Sequence, residues 1–294
     1  MSTFASRVVM PIGAFEKFHG LGNDFVLVDR SELQNRELPG EDAARRLCDR
    51  SRGIGADGLL IVERTPDAEA DARMTVLNAD GTRPEMCGNG LRCVAARVAE
   101  TGSSTEVTIA SDSGLHGCRV ERTGPSAWRV DAAMGRIELD DRAIAFDGFR
   151  LIPVDVGNPH AVVFAEPGRR AELMELGEAL NAPDSPFPDG VNLEFVRRTG
   201  PGAAEVAVFE RGVGVTPACG TGACAAAAAI CAREGTDAID VDMPGGTVSV
   251  VVDGDEVTLG GTVHRVYEGT WRGRESDGEA GWTDDCHPTD GNGR

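Results

Sequence analysis

The sequence contains almost no lysine: Lys17 is the only one in 294 residues, so nearly all of its 29 positive charges are arginine. Acidic residues number 48, which gives a formal net charge of −19. A surface this acidic repels nucleic acid and anionic membranes, so we expect neither as a partner. The acidic excess indicates adaptation to high salt, where counterions screen self-repulsion. The alternative, a compositional bias that replaces lysine by arginine, does not explain the acidic excess.

Long hydrophobic runs are also missing, since no stretch of about 18 consecutive apolar residues occurs. The first residues, "MSTFASRVVMPIG", lack the apolar segment and cleavage signature of an export signal. We therefore expect a cytoplasmic protein. Its 41% hydrophobic content is ample for packed cores, and its length favours two domains over one.

Only one pair of cysteines has the close spacing that is usual at a metal site. Zinc sites usually carry pairs separated by two to four residues, and the only pair here within that range, Cys219 and Cys224, lies in a helix-forming run. A cytoplasmic chain of this length also does not need a disulfide framework. We therefore expect no bound metal and no structural disulfide. The eight cysteines are Cys48, Cys87, Cys93, Cys118, Cys219, Cys224, Cys231 and Cys286.

Strand-forming runs are frequent and are mostly bounded by Gly, Pro, Asp or Asn. They cover residues 59–63, 73–78, 106–111, 150–156, 161–165, 191–196, 204–209, 247–252 and 263–267. Four helices are predicted, over residues 40–50, 88–101, 168–180 and 220–234. Gly102 and Gly235 follow the second and fourth helices as expected C-terminal caps.

Two of these helices are apolar on all sides. Every residue from Ala223 to Ala232 is small or apolar, and the helix over 88–101 is nearly as apolar. Such a helix belongs in a protein interior, here wrapped by sheet. The predicted class is α+β, with two similar lobes related by a pseudo-two-fold axis, each a curved, mostly antiparallel sheet around a central helix. An internal duplication explains the repetition.

Both apolar helices begin with the same motif, "CGNG" at Cys87 and "CGTG" at Cys219. A thiol at a helix start lies near the positive end of the helix dipole and near unpaired backbone N–H groups, which favour the thiolate. The glycines allow backbone amides to point at a carboxylate or phosphate. A phosphate loop of the Walker type is excluded, because no Lys-Ser or Lys-Thr follows.

If the two lobes face each other, their helix starts converge on one carboxylate with a sulfur on either side. One thiolate and one thiol could then remove a proton from one face of the α-carbon and return one to the other face. The helix ends would stabilise the enediolate that forms between these steps. The alternative is that Cys87 and Cys219 are small buried residues in glycine-rich turns, but the repetition at two core helices argues against it.

The sequence resembles the diaminopimelate epimerase family over most of residues 15–270. The matching segments, in the family's order, are "FHGLGNDFVLVD" (18–29), "RGIGADGLL" (52–60), "NADGTRPEMCGNG" (78–90), "GNPHAV" (157–162), "GVNLEF" (190–195), "FERGVGVTPACGTGACA" (209–225) and "MPGGTVSV" (243–250). Related proline racemases carry histidine where this chain has Asn89. Gly58 stands where some family members carry a glutamine that contacts substrate.

The resemblance implies an isomerase that interconverts LL- and meso-2,6-diaminopimelate in lysine biosynthesis without pyridoxal phosphate, metal or any other cofactor. It implies that Cys87 and Cys219 are the two acid/base residues and that His160 and Glu210 support their proton transfer. The implied substrate-binding residues are Asn23, Asn78, Gly88, Asn89, Asn158, Asn192, Glu210, Arg211, Gly220 and Thr221. Without the resemblance, the Asn residues could be turn formers and Glu210 with Arg211 a surface pair.

The expected division of the chain is an N-terminal lobe over 14–131 completed by a C-terminal strand over 263–272, and a C-terminal lobe over 132–262. Residues 273–294 are acidic and glycine-rich and are expected to form a disordered tail. The sequence leaves open whether the chain forms a homodimer. Two other functions also remain open: a racemase for another amino acid such as proline or hydroxyproline, and a binding or redox module that uses Cys87 and Cys219 as a switchable disulfide.

Overall fold

The computed structural model describes residues 13–33, 38–65, 69–84, 86–102, 104–140 and 142–272. The predicted tail over 273–294 lies outside the described residues, so its disorder stays a prediction. Among the helices that are described, none is long and apolar enough to cross a membrane.

The N-terminal lobe is a curved sheet with one helix inside it and one outside. Its elements are β1 (Gly13–Gly20), β2 (Asn23–Asp29), a short 3-10 helix (Arg30–Glu32), α1 (Glu41–Cys48), β3 (Gly58–Arg64), β4 (Ala72–Asn78), α2 (Gly88–Gly102), β5 (Glu106–Ser111), β6 (Gly114–Gly124) and β7 (Ala127–Arg136). Neighbouring strands follow the chain order, and only the β2–β3 and β4–β5 pairs are parallel. Each parallel pair is connected by a helix, as a parallel crossover requires.

The C-terminal lobe repeats this arrangement. Its elements are β8 (Glu138–Leu139), β9 (Ile144–Phe146), β10 (Phe149–Asp155), β11 (Pro159–Phe164), α3 (Arg170–Leu180), β12 (Asn192–Gly200), β13 (Ala203–Glu210), β14 (Gly214–Thr216), α4 (Gly220–Glu234), β15 (Ala238–Met243), β16 (Gly246–Asp253) and β17 (Glu256–Trp271). Here the parallel pairs are β11–β12 and β13–β15, again connected by α3 and α4. Hence α2 corresponds to α4, and the expected duplication is visible in the topology.

The last strand, β17, belongs to both lobes. Its first residues pair with β16 of the C-terminal lobe, and the segment over 263–271 pairs with β1 of the N-terminal lobe. The segment over 256–264 pairs with β7, which closes the N-terminal sheet. The division expected after residue 131 therefore falls inside β7, a strand that runs on from one lobe towards the other.

The two central helices lie in the core, whereas α1 and α3 cover the outside of the sheets. In β2, Phe25 and Leu27 face α2, and Val26 and Val28 face α1. Burial on both faces makes such a strand a continuous apolar run. Helix α4 is buried from Gly220 to Cys231, with residues 223–230 at most 3% exposed, and only its last turn reaches the surface. These features confirm the predicted class of two lobes with a sheet wrapped around a central helix.

Candidate active site

The two central helices begin next to each other. A Cβ atom added at Gly220, the first residue of α4, would lie 3.7 Å from the Cα atom of Gly88, the first residue of α2. Leu259 of β17 packs against both, because its Cδ2 atom lies 3.2 Å and 3.0 Å from Cβ positions built at Gly88 and Gly220. The positive ends of two helix dipoles therefore meet at one place, which suits a bound anion.

Cys87 precedes α2 and hydrogen-bonds to its first turn. Its Sγ atom accepts a hydrogen bond from the backbone N–H of Gly90 at 3.4 Å, and its carbonyl oxygen accepts one from Leu91 at 2.8 Å. The side chain is partly buried against the core of the molecule. Gly90 leaves room for the close packing at this point, since a Cβ atom at this position would lie 2.9 Å from the end of the Leu60 side chain and 3.2 Å from the Cys87 sulfur.

Cys219 is the N-cap residue of α4 and has equivalent contacts. Its Sγ atom accepts a hydrogen bond from the Gly222 N–H at 3.4 Å and lies 3.5 Å from the Thr221 hydroxyl. Cys219 is 7% exposed and is more deeply buried than Cys87. The backbone N–H groups that were predicted from the two glycine motifs are thus directed at both sulfurs.

Burial nevertheless raises the pKa of both thiols. Burial raises the pKa of Cys87 to about 11, although the N–H of Gly90 acts in the opposite direction. Burial and the charge of Glu210 raise the pKa of Cys219 well above the usual value. The sequence-based argument that a helix start favours thiolate identified the right donors but omitted desolvation, which is the larger effect here.

Glu210 lies at the end of β13 and interacts with Cys219 directly. Its carboxylate accepts a hydrogen bond from the Thr216 hydroxyl, and its interaction with the Cys219 side chain lowers its pKa. Burial raises the pKa of Glu210, and these two interactions lower it only in part. The negative charge of Glu210 also raises the pKa of Cys87, which places this carboxylate within electrostatic reach of both sulfurs. A buried carboxylate with a raised pKa is suited to accept a proton near neutral pH.

His160 lies in β11 and is held on both ring nitrogens. Its Nδ1 atom is 2.7 Å from Glu194 Oε1, and its Nε2 atom is 3.0 Å from Asn158 Oδ1. The side chains of His160 and Glu194 are both fully buried. Glu194 lies against the first turn of α4, since a Cβ atom built at Gly222 would be 2.7 Å from its Oε1 atom. His160 therefore belongs to the surroundings of Cys219, although no hydrogen bond joins it to either thiol in the described part of the chain.

Arg211 and Asn192 form a second polar group at the same end of β12 and β13. Asn192 accepts a hydrogen bond from the Arg211 backbone N–H at 2.9 Å and donates one to the Pro159 carbonyl at 3.1 Å. The Arg211 guanidinium donates to the Asp189 carbonyl at 2.9 Å. Gly190 allows this approach because its φ is +77° and a Cβ atom there would lie 2.7 Å from Arg211. A guanidinium fixed in this way can bind a carboxylate with two hydrogen bonds.

Two further predicted residues, Asn23 and Asn78, lie at one end of the N-terminal sheet. Asn23 donates to Asp57 at 3.0 Å and accepts from Asn89 at 3.2 Å, which connects it to the start of α2. Asn78 donates to the Thr82 hydroxyl at 2.9 Å. Between β2 and β4 lies Gly58, which pairs with Phe25 on one side and with Asn78 on the other. Gly58 is therefore the neighbour of Asn78 in the sheet, and it is the position at which the family resemblance implies a glutamine in some members.

Three residues of this region were not predicted from the sequence. Glu194 lies between the apolar Leu193 and Phe195, a pattern that ordinarily places the charged residue on the exposed face of a strand, so its burial has no sequence signal. Thr216 carries no sequence signal that distinguishes it from a loop threonine. Arg92 was overlooked inside an apolar helix.

A sizeable cleft lies away from the helix starts. This cleft of about 1030 Å³ opens beside the far end of α4, and its lining includes Phe149, Phe164 and Arg233 but none of the predicted site residues. The chemistry at the helix starts, rather than cavity size, identifies the candidate active site. In the described part of the chain, no group of three or more His, Cys, Asp or Glu side chains is placed to hold a metal ion.

The comparison with known proteins agrees with this geometry. The family model for diaminopimelate epimerase matches residues 15–139 and 152–269. The diaminopimelate epimerase of Desulforudis audaxviator is 39% identical over 279 residues, which cover 87% of this chain and 98% of that protein. The diaminopimelate epimerase of Xanthomonas campestris pv. campestris is 37% identical over 278 residues, which cover 87% and 95%.

Solved structures show the same fold at lower identity. A hydroxyproline epimerase from Agrobacterium vitis, solved with bound trans-4-hydroxy-L-proline, has a TM-score of 0.63 and 20% identity, and the match covers 90% of this chain and 93% of that one. The fold is thus shared with epimerases of other substrates, and the sequence relatives decide the family. The chain belongs to the diaminopimelate epimerase family and is an isomerase.

Proposed function

We propose that this chain interconverts LL- and meso-2,6-diaminopimelate in lysine biosynthesis by a two-base mechanism in which Cys87 and Cys219 act on opposite faces of one carbon. The observation that carries the proposal is the meeting of two Cys-Gly helix starts, one from each lobe, in a chain of this family. No cofactor takes part in the proposed reaction.

The carboxylate at the reacting carbon binds between the two helix starts. Backbone N–H groups of Gly88, Asn89, Gly220 and Thr221 are the proposed donors. When the α proton leaves, the electron pair remains on the substrate and spreads into this carboxylate as an enediolate. Two helix ends therefore stabilise the transition state more than the ground state, which is what lowers the barrier.

Protons balance in each turnover. One sulfur, as thiolate, removes the α proton, and the other, as thiol, gives its proton to the opposite face. The configuration is inverted, and the two sulfurs exchange protonation states. Glu210 accepts the Cys219 thiol proton before Cys219 acts as the base. After the turnover Cys219 holds the α proton of the substrate and Cys87 is the thiolate, so the Glu210 proton passes through solvent to Cys87 and restores the starting state. A raised pKa makes Glu210 a better match to a thiol as a proton acceptor.

The far end of the substrate carries a second amino-acid group. We assign its carboxylate to Arg211, Asn192 and Asn78 and its ammonium group to Glu210, with Asn23 and Asn158 completing the polar lining. His160 positions Asn158 through their 3.0 Å contact and supports proton transfer near Cys219. The guanidinium of Arg211 can donate two parallel hydrogen bonds to one carboxylate, which a lysine ammonium group cannot do.

Hydrogen exchange in heavy water tests the proposed function. The purified protein is incubated with LL-diaminopimelate in deuterated buffer at low and high salt, and the α-hydrogen signal is followed by proton NMR. We expect loss of one α-hydrogen signal together with formation of the meso isomer. Cys87→Ala and Cys219→Ala should each abolish isomer formation.

The control variants are Cys93→Ala and Cys224→Ala, which remove buried core thiols from α2 and α4 and should remain active. Exchange on proline or hydroxyproline but not on diaminopimelate would select a different racemase. Absence of exchange on all three would favour a redox or binding role for the two thiols and would overturn the proposal. Cytoplasmic location and a homodimer stay predictions from the sequence.

A further inference from the structure

Arg92 is a buried charge in the middle of an apolar helix. It follows Cys87 by five residues in α2, is 0% exposed and is among the largest fully buried side chains. The backbone around it is shaped to hold a guanidinium. A Cβ atom at Gly261 of β17 would lie 3.2 Å from Arg92 Nε, and one at Gly20 of β1 would lie 3.6 Å from its Nη2.

The guanidinium makes one hydrogen bond to protein. Its Nη2 atom donates to Asn89 Oδ1 at 2.6 Å, and Asn89 donates in turn to Asn23 Oδ1 at 3.2 Å. Nε and Nη1 have no hydrogen-bond partner among the described residues, and no described carboxylate lies within ion-pair distance of the group. The titratable groups with the strongest electrostatic effect on it are thiols, those of Cys93, Cys224, Cys87 and Cys118.

Such an arrangement is costly for folding. A charge without a counter-charge in a dry interior loses its hydration, and apolar side chains of similar volume are usually at least as stabilising at such places. Burial lowers the pKa of Arg92, yet a guanidinium begins so far above neutral pH that it stays protonated. Packing alone would therefore favour a residue such as methionine here.

The charge is placed where the proposed reaction needs it. It lies behind the start of α2, so it acts in the same direction as the N–H groups of Gly90 and Asn89 on the Cys87 sulfur. These three groups lower the pKa of Cys87, whereas burial and the Glu210 carboxylate raise it. Through its hydrogen bond, Arg92 also fixes the side chain of Asn89, a residue whose backbone N–H is assigned to the substrate carboxylate.

We propose that Arg92 is a positioning residue of the proposed epimerase site, which holds Asn89 and uses its buried positive charge to stabilise negative charge on the Cys87 sulfur and on the carboxylate bound at the start of α2. This inference rests on the proposed function for its effect on turnover. Its effect on Cys87 does not depend on any substrate.

The test compares Arg92→Met, which removes the charge and keeps the volume, with Arg92→Lys, which keeps the charge. Iodoacetamide alkylation of Cys87 is followed by peptide mass spectrometry from pH 7 to 11, with Cys219 in the same samples as an internal control. In Arg92→Met we expect at least a tenfold slower alkylation of Cys87 at a given pH, equivalent to about one pKa unit. Cys219 should change less, and Arg92→Lys should restore most of the Cys87 rate.

Stability and turnover separate this role from packing. We expect Arg92→Met to keep or raise the melting temperature, while kcat falls about 100-fold and KM changes by less than about threefold, because the interaction is strongest in the transition state. The matched control is Arg97→Met on the same helix, which removes an ion pair with Glu16 remote from the helix start. It should lower the melting temperature and leave Cys87 alkylation unchanged.

A folded Arg92→Met protein with wild-type alkylation of Cys87 would overturn the inference, as would a loss of stability with no change in alkylation. If Arg92→Met does not fold, Arg92→Gln tests the same loss of charge with one donor retained, and it should show the same slow alkylation. A wild-type protein that does not act on diaminopimelate would contradict the proposed function but leave the alkylation result informative about Arg92.

Discussion

The starts of α2 and α4 have equivalent hydrogen bonds to sulfur and different electrostatic surroundings. In each, a cysteine sulfur accepts a hydrogen bond from the N–H three residues later, at 3.4 Å. Behind Cys87 lies the buried cation of Arg92, and no carboxylate is hydrogen-bonded to this sulfur in the described structure. Around Cys219 lie the carboxylates of Glu210 and Glu194. A duplicated scaffold has thus been given two different chemical environments.

This difference divides the work between the two thiols. Both are buried, and burial raises the pKa of each. At Cys87 the charge of Glu210 adds to this effect and the cation of Arg92 opposes it, whereas at Cys219 the carboxylates of Glu210 and Glu194 both add to it. Cys87 is therefore the sulfur that ionises more readily. In the proposed mechanism, Cys219 gives its proton to Glu210 before it acts as the base. A symmetric reaction can be served by an asymmetric pair as long as each sulfur has a route for its proton.

The largest effect is expected from Glu210→Gln. Loss of this carboxylate removes the acceptor for the Cys219 proton, and general-base contributions of this kind are about 10²–10⁴-fold. The pKa of both thiols should fall at the same time, because the charge of Glu210 raises both. We expect kcat to drop while alkylation of both cysteines becomes faster at pH 8.

The control for Glu210→Gln is Thr216→Val, which removes one hydrogen bond to the same carboxylate and keeps its charge. Its kcat should fall much less. Full activity in Glu210→Gln would show that Cys219 exchanges its proton by another route and would remove the proposed difference between the two thiols.

A smaller effect should separate Gly222→Ala from Gly90→Ala, which are equivalent positions of the two motifs. A Cβ atom at Gly222 would lie 2.7 Å from the buried Glu194 carboxylate, which is fixed by His160. At Gly90 the nearest atoms are the end of the Leu60 side chain at 2.9 Å and the Cys87 sulfur at 3.2 Å, and a leucine end can move. We expect about 100-fold loss of kcat in Gly222→Ala and about tenfold in Gly90→Ala, measured on folded protein; the reverse order would break the comparison.

The lobes also differ in the ion pairs near their sites, and the N-terminal one can be tested by stability. The chain's single lysine, Lys17, is buried and pairs with Asp24 at 2.7 Å. Burial acts to raise the pKa of Asp24, but hydrogen bonds from Arg50 and Lys17 outweigh it and hold this pKa well below the usual value. Lys17→Met should reduce the free energy of unfolding by about 3 kcal/mol, the cost of breaking a buried pair.

The lowered pKa of Asp24 makes the free energy of unfolding depend on pH in a known direction. Because the folded-state pKa of Asp24 is lowered, its contribution is fully present above the unfolded-state pKa of about 4 and is lost as pH falls below that value. In Lys17→Met the acid unfolding midpoint, followed by circular dichroism, should move to higher pH. Arg50→Met removes a partner that is 60% exposed and should have a smaller effect on both quantities.

The smallest effect is expected from added salt, which screens the charges on the surface and leaves the interactions of buried charges almost unchanged. An acidic surface repels itself less when counterions screen it, so the melting temperature should rise by about 5 °C or more between 0.1 and 2 M KCl. The ratio of Cys87 to Cys219 alkylation should hardly change, because buried charges are screened little. A ratio that follows salt as strongly as stability does would contradict a buried origin for the difference.

Much of the fold could be predicted from sequence patterns. Helix α4 begins and ends at the predicted residues, and Gly235 has the left-handed φ of 69° that a helix cap requires. Gly102, in contrast, is the last helical residue rather than a cap beyond the helix. The strands β6 and β7 were not predicted, because charged residues and glycines on their exposed positions interrupt the apolar signal. The buried face of β7 is nevertheless unbroken from Trp128 to Met134, so the sequence signal of this strand is alternation and not an apolar run.

The candidate site was predicted less completely than the fold. The repeated motif identified Cys87 and Cys219, because two glycine-rich helix starts are unlike ordinary turns. Their surroundings depend on residues far apart in sequence, and no local pattern shows that Glu194 will meet His160. The pKa of a thiol depends on such neighbours and on burial, so the helix-start argument gives one contribution to the pKa and not its net direction.

The most direct test of the central claim is the pH dependence of alkylation of the two sulfurs in one wild-type sample. Rates of iodoacetamide labelling of Cys87 and Cys219 are measured by peptide mass spectrometry between pH 7 and 12. We predict that Cys87 reaches half of its maximal rate near pH 11 and that Cys219 does so at a higher pH. Equal midpoints, or a lower midpoint for Cys219, would contradict the account of two similar helix starts with different electrostatic surroundings.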